Sequence, residues 1–229
     1  LCEQKGVLLM SDATQAVGKV RVDVQAAGVH ILAFTGHKMY GPKGIGALYV
    51  RRRNPRVRLA AQIHGGGHQD GMRSGTLNVP AIVGFGKAAA LAAEEMPTEA
   101  PRLAALRDRL ESALLQRLPA VLVNGSTEYR LPQVTNLSFT GIEGEPLMMA
   151  FNDRLAVSSG SACTSASLEP SHVLQAMGLS DQRGHSSLRL SLGRFNTEAE
   201  IHEAIDIICE KVEHLRSISP AWELYLDEK

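Results

Sequence analysis

The chain has 229 residues, with 24 Lys and Arg against 24 Asp and Glu, and 44% of its residues are hydrophobic. This composition is typical of a globular protein that can bury a core, and it excludes a disordered chain. The balanced charge gives no general attraction to nucleic acid, and no apolar stretch indicates a membrane span or a signal peptide. The expected ligand is therefore a small molecule.

Short apolar runs alternate with glycine-rich turns in the first part of the chain. The runs at residues 7–10, 31–34 and 45–50 are predicted strands, and the alternation predicts an α/β fold whose sheet is part of a larger one. Asp12 and Lys38 follow the first two strands. Ligand-binding groups gather beyond the carboxyl ends of strands in open α/β sheets, so these two side chains are expected to flank one pocket.

Lys38 is preceded by Thr35, Gly36 and His37, which supply a hydroxyl, a flexible backbone and an imidazole. A lysine and a carboxylate are what pyridoxal phosphate requires, because the lysine forms a Schiff base and the carboxylate keeps the pyridine nitrogen protonated. Two simpler interpretations stay open. Lys38 can be merely solvated, and Asp12 can be the N-cap of a helix.

Two loops follow the third strand. The basic run at residues 51–58 is either a polybasic contact site or a solvated turn. In the next loop, His64 and His68 have a spacing found in metal sites, but three glycines between them disfavour a helix that would align the imidazoles. We favour a phosphate-binding loop, because backbone N–H groups and the hydroxyls of Ser74 and Thr76 can contact a phosphate.

Two helices are predicted next, at residues 80–95 and 101–118, the second with leucines at spacings of three and four. Pro97 and Pro101 lie between them and indicate a hinge or a domain boundary. The first domain is therefore expected to end at Met96.

The remaining residues, 97–229, are predicted to form a small α+β domain. Its predicted strands and helices are residues 121–123, 134–139, 146–152, 170–177, 187–192 and a last helix capped by Thr197. Arg189 lies within an apolar strand, where an unpaired guanidinium is costly to bury. A substrate carboxylate, held bidentately, is its expected partner.

The segment at residues 158–167 is small and polar almost throughout, and Cys163 lies at its middle. Such a run cannot build a core, so a mobile exposed loop is expected. A thiolate at this open position would be a nucleophile, although an incidental surface cysteine also fits. With Cys2 and Cys209, the count of cysteines is odd and contains no close pair, which favours a reducing compartment over a disulfide framework or a zinc knuckle.

Five segments agree in order and approximate spacing with one enzyme family. They are residues 12–15 (DATQ), 35–38 (TGHK), 73–76 (RSGT), 158–165 (SSGSACTS) and 189–195 (RLSLGRF). Together they resemble the cysteine desulfurases of the NifS and IscS type, within the class-V aminotransferases, from about Val7 to the Trp222 region. The closing segment, residues 219–223, is more similar to the housekeeping iron-sulfur branch than to the nitrogen-fixation branch.

The resemblance implies a partial large domain of the pyridoxal phosphate enzymes of fold type I, at residues 1–96, followed by the small α+β domain. The chain starts at Leu1 and reaches its first strand within seven residues, so a chain trimmed or split upstream is expected. The first part of the family's large domain, including a histidine that stacks on the cofactor ring, is absent from these residues. The chain alone is therefore expected to form an incomplete site.

The implied reaction removes sulfur from L-cysteine, giving L-alanine and a persulfide on Cys163. By the same resemblance, Lys38 holds pyridoxal phosphate as a Schiff base and then moves protons, and Arg189 binds the carboxylate of L-cysteine. Cys163 attacks the sulfur of the bound substrate. The mobility expected of its loop would allow it to carry that sulfur to an acceptor protein.

The remaining site residues are implied to hold the cofactor. Asp12 would pair with the pyridinium and Gln15 would bond to the ring hydroxyl, while Thr35 and His37 would hold the phosphate. Thr76 would reach the phosphate of the neighbouring subunit, so that a homodimer completes each site. Threonine stands at position 35 where the family commonly has serine, and this change keeps the hydroxyl.

The implied partners are an iron-sulfur scaffold protein and other sulfur acceptors, with no nucleic acid, membrane or intrinsic metal. Cys163 can be a transient iron-sulfur ligand with such a scaffold. The expected location is the cytoplasm, or the mitochondrion in a eukaryote. As alternatives, an aminotransferase or a selenocysteine lyase of the same fold type would also use Lys38 and Asp12, and an inactive fragment would act as a docking module.

Overall fold

Residues 1–151, 153–159 and 171–229 are described by the computed structural model. They group into two compact units, Leu1–Glu99 and Ala100–Lys229. Within these ranges, no helix is both long and apolar enough to cross a membrane.

The first unit contains a three-stranded sheet in the order β1 (Met10–Asp12), β2 (Ile31–Thr35) and β3 (Gly46–Val50). Strands β1 and β2 are parallel, with Asp12 paired to Ala33, whereas β2 and β3 are antiparallel. The strands predicted at residues 31–34 and 45–50 are confirmed. The first strand begins later than the apolar run at residues 7–10, because its pairing with β2 starts only at Met10. The parallel pair brings the carboxyl ends of β1 and β2 to one edge of the sheet.

The largest departure from the sequence prediction is a single helix, α1 (Val79–Arg117), where two helices were expected. The helix continues through Pro97 and Pro101, so the predicted break between two helices is wrong. Both prolines are exposed, where water can bond to the carbonyl groups that lack an intrahelical donor. The hydroxyl of Thr98 also donates to the carbonyl oxygen of Glu95 at 3.0 Å.

The second unit contains a four-stranded antiparallel sheet. Its strands, in spatial order, are β4 (Val121–Val123), β5 (Val134–Phe139), β7 (Ser187–Ser191) and β6 (Ser158–Ser159). Its other helices are α2 (Gly144–Phe151), α3 (His172–Ala176), α4 (Asp181–His185), α5 (Glu198–Ser217) and α6 (Pro220–Asp227). The predicted strands are confirmed, whereas α4 and α6 were not predicted.

Helix α5 begins at the cap expected from the sequence and buries one apolar stripe. The Thr197 hydroxyl accepts the Glu200 N–H, and the Glu200 carboxylate accepts the Thr197 N–H at 2.8 Å. The stripe of isoleucines packs into the core of this unit, where Cys209 is only 2% exposed. Burial raises the pKa of the Cys209 thiol, which fits a packing role for this cysteine.

Candidate active site

Asp12 ends β1 with its carboxylate exposed. Its Oδ1 accepts the Thr14 N–H at 2.8 Å, and hydrogen bonds from the side chain and then the backbone of Thr14 lower the pKa of Asp12. The carboxylate is therefore charged at neutral pH. The residues after it form turns, so the alternative in which Asp12 caps a helix is wrong. Gln15 is exposed on the turn that follows.

The segment that carries Lys38 is one turn of 3-10 helix at Gly36–Met39, directly after β2; we call it the Lys38 turn. Just before it, Thr35 donates a hydrogen bond from its hydroxyl to the Ile45 carbonyl at 3.2 Å. Thr35 Oγ1 also lies 2.9 Å from Nδ1 of His37, and both His37 and Lys38 are exposed. A hydroxyl, an imidazole and an amine are thus presented together at the edge where β2 ends.

Glycine is required at the start of the Lys38 turn. A Cβ atom on Gly36 would lie 2.9 Å from the Phe85 ring of α1 and 3.2 Å from the Pro42 carbonyl oxygen. One on Gly41 would lie 2.9 Å from the Gly36 carbonyl oxygen. Since Cβ contacts this short are not tolerated without a shift, the two glycines let the turn pack closely against α1.

A buried cation that the sequence did not reveal lies beside this turn. Lys19 is 8% exposed, and its Nζ lies 3.5 Å from Oε1 of Glu99 and 4.0 Å from the centroid of the Tyr40 ring. A single lysine in a turn gives no signal of burial in the sequence, because its partners, Tyr40 and Glu99, lie far away along the chain. Only the fold brings these three side chains together.

The glycine-rich loop is irregular, as expected, and is organised by its own polar groups. Ser74 is buried, and its Oγ accepts the Gly67 N–H at 3.2 Å. His68 is engaged within the loop, since its Nδ1 accepts the Gly75 N–H at 3.4 Å. Thr76 is exposed at the end of the loop, so its hydroxyl is accessible to a group outside it.

In the second unit, Arg189 lies at the centre of β7, paired to Asn136 of β5 and to Ser158 of β6. Its Nη2 donates to the Ser158 hydroxyl at a long 3.4 Å. Its Nε is buried and has no hydrogen-bond partner among the described residues. Because a buried guanidinium N–H without a partner is costly, this group suits an anionic ligand.

The predicted reactive loop is only partly described. Ser158 and Ser159 form β6 next to Arg189 and Leu188, whereas Cys163 lies outside the described residues. The described site residues thus fall into two groups, one in each unit. The first contains Asp12 and the Lys38 turn, and the second contains Arg189.

The similarity to known proteins extends over nearly the whole chain. The class-V aminotransferase family matches residues 1–203. A cysteine desulfurase IscS of Shewanella baltica strain OS223 is 56% identical over 227 residues, which are 99% of this chain and 55% of that protein. The resemblance inferred from the five segments is thereby confirmed.

Solved structures show the same α/β fold. A NifS-like protein of Rickettsia africae ESF-5 matches with a TM-score of 0.82 at 29% identity, covering 93% of this chain and 55% of that one. A structure of SspA in complex with cysteine matches with a TM-score of 0.65 at 34% identity, covering 86% and 53%. The chain spans about half the length of these relatives. On the extent of the family match, the chain belongs to the class-V aminotransferases.

Proposed function

We propose that these residues are part of a cysteine desulfurase that depends on pyridoxal phosphate and converts L-cysteine to L-alanine, leaving a persulfide on Cys163. The observation that carries the proposal is the parallel pairing of β1 and β2, which brings Asp12 and the Lys38 turn to one edge of the sheet. The similarity to a cysteine desulfurase and to a structure containing cysteine favours this reaction within the family.

The donor groups at this edge fit the proposed cofactor. The charged Asp12 carboxylate suits a protonated pyridine nitrogen, and Gln15 offers an amide to the ring hydroxyl. Thr35 and His37 offer a hydroxyl and an imidazole to the phosphate, while Lys38 offers an exposed amine to the aldehyde. When bound, pyridoxal phosphate supplies an electron sink for negative charge that develops on the amino acid.

In the proposed mechanism, the residues of the chain bind the substrate and move its protons. Arg189 orients L-cysteine through its carboxylate, and Lys38 Nζ takes a proton from the substrate α-carbon. The Cys163 thiolate then attacks the substrate sulfur, so that a sulfur–sulfur bond forms as the carbon–sulfur bond breaks. The electron pair of the broken bond stays with the substrate, which takes up a proton at the carbon that carried the sulfur. Lys38 Nζ returns the proton to the α-carbon, and the product leaves as L-alanine.

We also propose a homodimer in which Thr76 of each subunit contacts the phosphate held by the other. The exposed hydroxyl at the end of an ordered glycine-rich loop supports this role. The domain division proposed with it assigns residues 1–96 to the cofactor-binding domain and residues 97–229 to the small domain. An iron-sulfur scaffold protein and other acceptors in the cytoplasm would take the sulfur from Cys163.

Product analysis tests the reaction directly. The whole enzyme of which these residues are part, loaded with pyridoxal phosphate and given L-cysteine and a thiol reductant, is expected to form alanine and sulfide in equal amounts. Formation of a keto acid in place of alanine would contradict the proposal and indicate transamination. A strong preference for L-selenocysteine in competition with L-cysteine would indicate a selenocysteine lyase.

Replacement of Arg189 by glutamine tests the substrate-binding role. We expect KM for L-cysteine to rise by about 10- to 100-fold with a smaller change in kcat, because a charge-assisted bond to the carboxylate is lost. Initial rates of alanine formation across L-cysteine concentrations measure both constants. Arg117, an exposed arginine paired with Asp206, provides the control, since Arg117→Gln should leave KM unchanged. An unchanged KM in R189Q would remove Arg189 from the site.

A further inference from the structure

The buried pair of Lys19 and Glu99 lies outside the groups assigned above. Both side chains are less than one-tenth exposed, 8% for Lys19 and 6% for Glu99. A buried ion pair recovers little net stability, because the cost of removing two charges from water offsets their attraction. The location of the pair, beside the aromatic ring of Tyr40, suggests what it does.

Tyr40 ends the Lys38 turn in a strained conformation. Its φ is +64°, in the left-handed region that residues with a side chain seldom adopt, and its N–H bonds to the Gly36 carbonyl. The next residue, Gly41, donates to the same carbonyl at 2.9 Å. Strained residues of this kind persist only where the surroundings hold them.

The residues around Lys19 hold this end of the turn from one side. The Lys19 ammonium lies over the Tyr40 ring, with its charge balanced by Glu99. The preceding residue, Gly18, approaches so closely that a Cβ atom there would lie 2.9 Å from Cβ of Met39. Met39 is itself only 2% exposed. Two successive residues, 18 and 19, therefore contact the two residues that follow Lys38.

We propose that Lys19 is a positioning residue for Lys38, because its ammonium holds the Tyr40 ring and thereby fixes the strained end of the turn. Glu99 acts with it by keeping the ammonium in place. The consequence for catalysis rests on the proposed function, in which the Lys38 amine binds the cofactor. The contact by which Lys19 fixes the turn involves only residues of this chain and does not require the cofactor.

Amide hydrogen exchange at Gly41 in the protein without added cofactor measures how firmly the turn is closed. Removing the cation from the ring is expected to speed this exchange by about fivefold, the order associated with losing a partly buried cation–π contact. The control is the Leu192 amide in the second unit, which donates to the Gln133 carbonyl at 2.8 Å. Its exchange should stay at the wild-type rate, whereas global unfolding would speed both amides.

Four variants distinguish loss of the contact between the Lys19 ammonium and the Tyr40 ring from a general loss of structure. The double variant Lys19→Met with Glu99→Gln removes the cation without leaving a buried carboxylate unpaired. Tyr40→Asn removes the ring but suits the left-handed backbone and leaves the ion pair intact. Lys19→Arg and Tyr40→Phe keep a cation over an aromatic ring. Faster Gly41 exchange in the first two, with near wild-type exchange in the last two, is the expected result.

Gly41 exchange at the wild-type rate in both disrupting variants would overturn the inference. It would also be overturned if Lys19→Arg speeded Gly41 exchange as much as the double variant does.

In the loaded protein, visible circular dichroism per unit absorbance reports how rigidly pyridoxal phosphate is held. We expect it to fall in the two disrupting variants and to be retained in the two conservative ones; unchanged dichroism in the disrupting variants would refute the link to Lys38. Failure of the whole enzyme, of which these residues are proposed to be part, to bind pyridoxal phosphate would refute the proposed function, while the exchange result would still test the role of Lys19.

Discussion

Replacement of Lys38 by alanine is expected to abolish the visible absorbance of bound pyridoxal phosphate and to lower alanine formation by at least about 10³-fold. The loss combines two effects, since the amine both anchors the cofactor and transfers a proton, and proton transfer alone is worth about 10²- to 10⁴-fold. Absorbance spectra recorded after dialysis against free cofactor measure the first effect. Alanine formation from L-cysteine measures the second.

Lys43 provides a matched control for this experiment. It is an exposed lysine in the loop between the Lys38 turn and β3, in the same part of the chain. Lys43→Ala should retain the visible band and turn over L-cysteine at close to the wild-type rate. A K38A protein that keeps the wild-type spectrum through dialysis would show that another amine anchors the cofactor, and the assignment of Lys38 would be wrong.

The parts of the site that could be predicted from the sequence are those set by local interactions. An apolar run followed by glycine predicts a strand and a turn, and β2 with the Lys38 turn has that form. The Thr197 cap likewise depends on residues only three apart. The expectation that Asp12 and Lys38 lie together came from a general rule, since ligand-binding groups gather beyond the carboxyl ends of strands in open α/β sheets. The parallel pairing of β1 and β2 brings their carboxyl ends to one edge, as that rule requires.

The parts that could not be predicted depend on contacts between distant residues or on the environment of a single atom. Lys19 and Glu99 are 80 positions apart, so no local pattern identifies their pairing. Pro97 and Pro101 normally interrupt a helix, but their exposure and the buried leucines on the opposite face of α1 allow it to continue. The unpartnered Nε of Arg189 became apparent only from its neighbours in the sheet.

Replacement of Cys163 by alanine is expected to separate cofactor binding from sulfur transfer. The variant should retain the visible spectrum of pyridoxal phosphate and should still bind L-cysteine, because Lys38, Asp12 and Arg189 are unchanged. Without the attacking thiolate, alanine and sulfide formation should fall by at least about 10³-fold, a loss comparable to those measured when other enzymes lose a nucleophile. Spectral titration with L-cysteine measures binding, and product analysis measures turnover.

Cys2 is the control for this variant, because it is a partly exposed free cysteine that has no assigned role. Cys2→Ala should give wild-type rates, and mass analysis of wild-type protein treated with L-cysteine alone should find an added sulfur atom on the peptide that contains Cys163. Alanine release by C163A at the wild-type rate would contradict the persulfide mechanism. If K38A were inactive at the same time, the protein would still be a pyridoxal phosphate enzyme. Its chemistry would then belong to another branch of the family, because the other branches require the lysine and not the thiol.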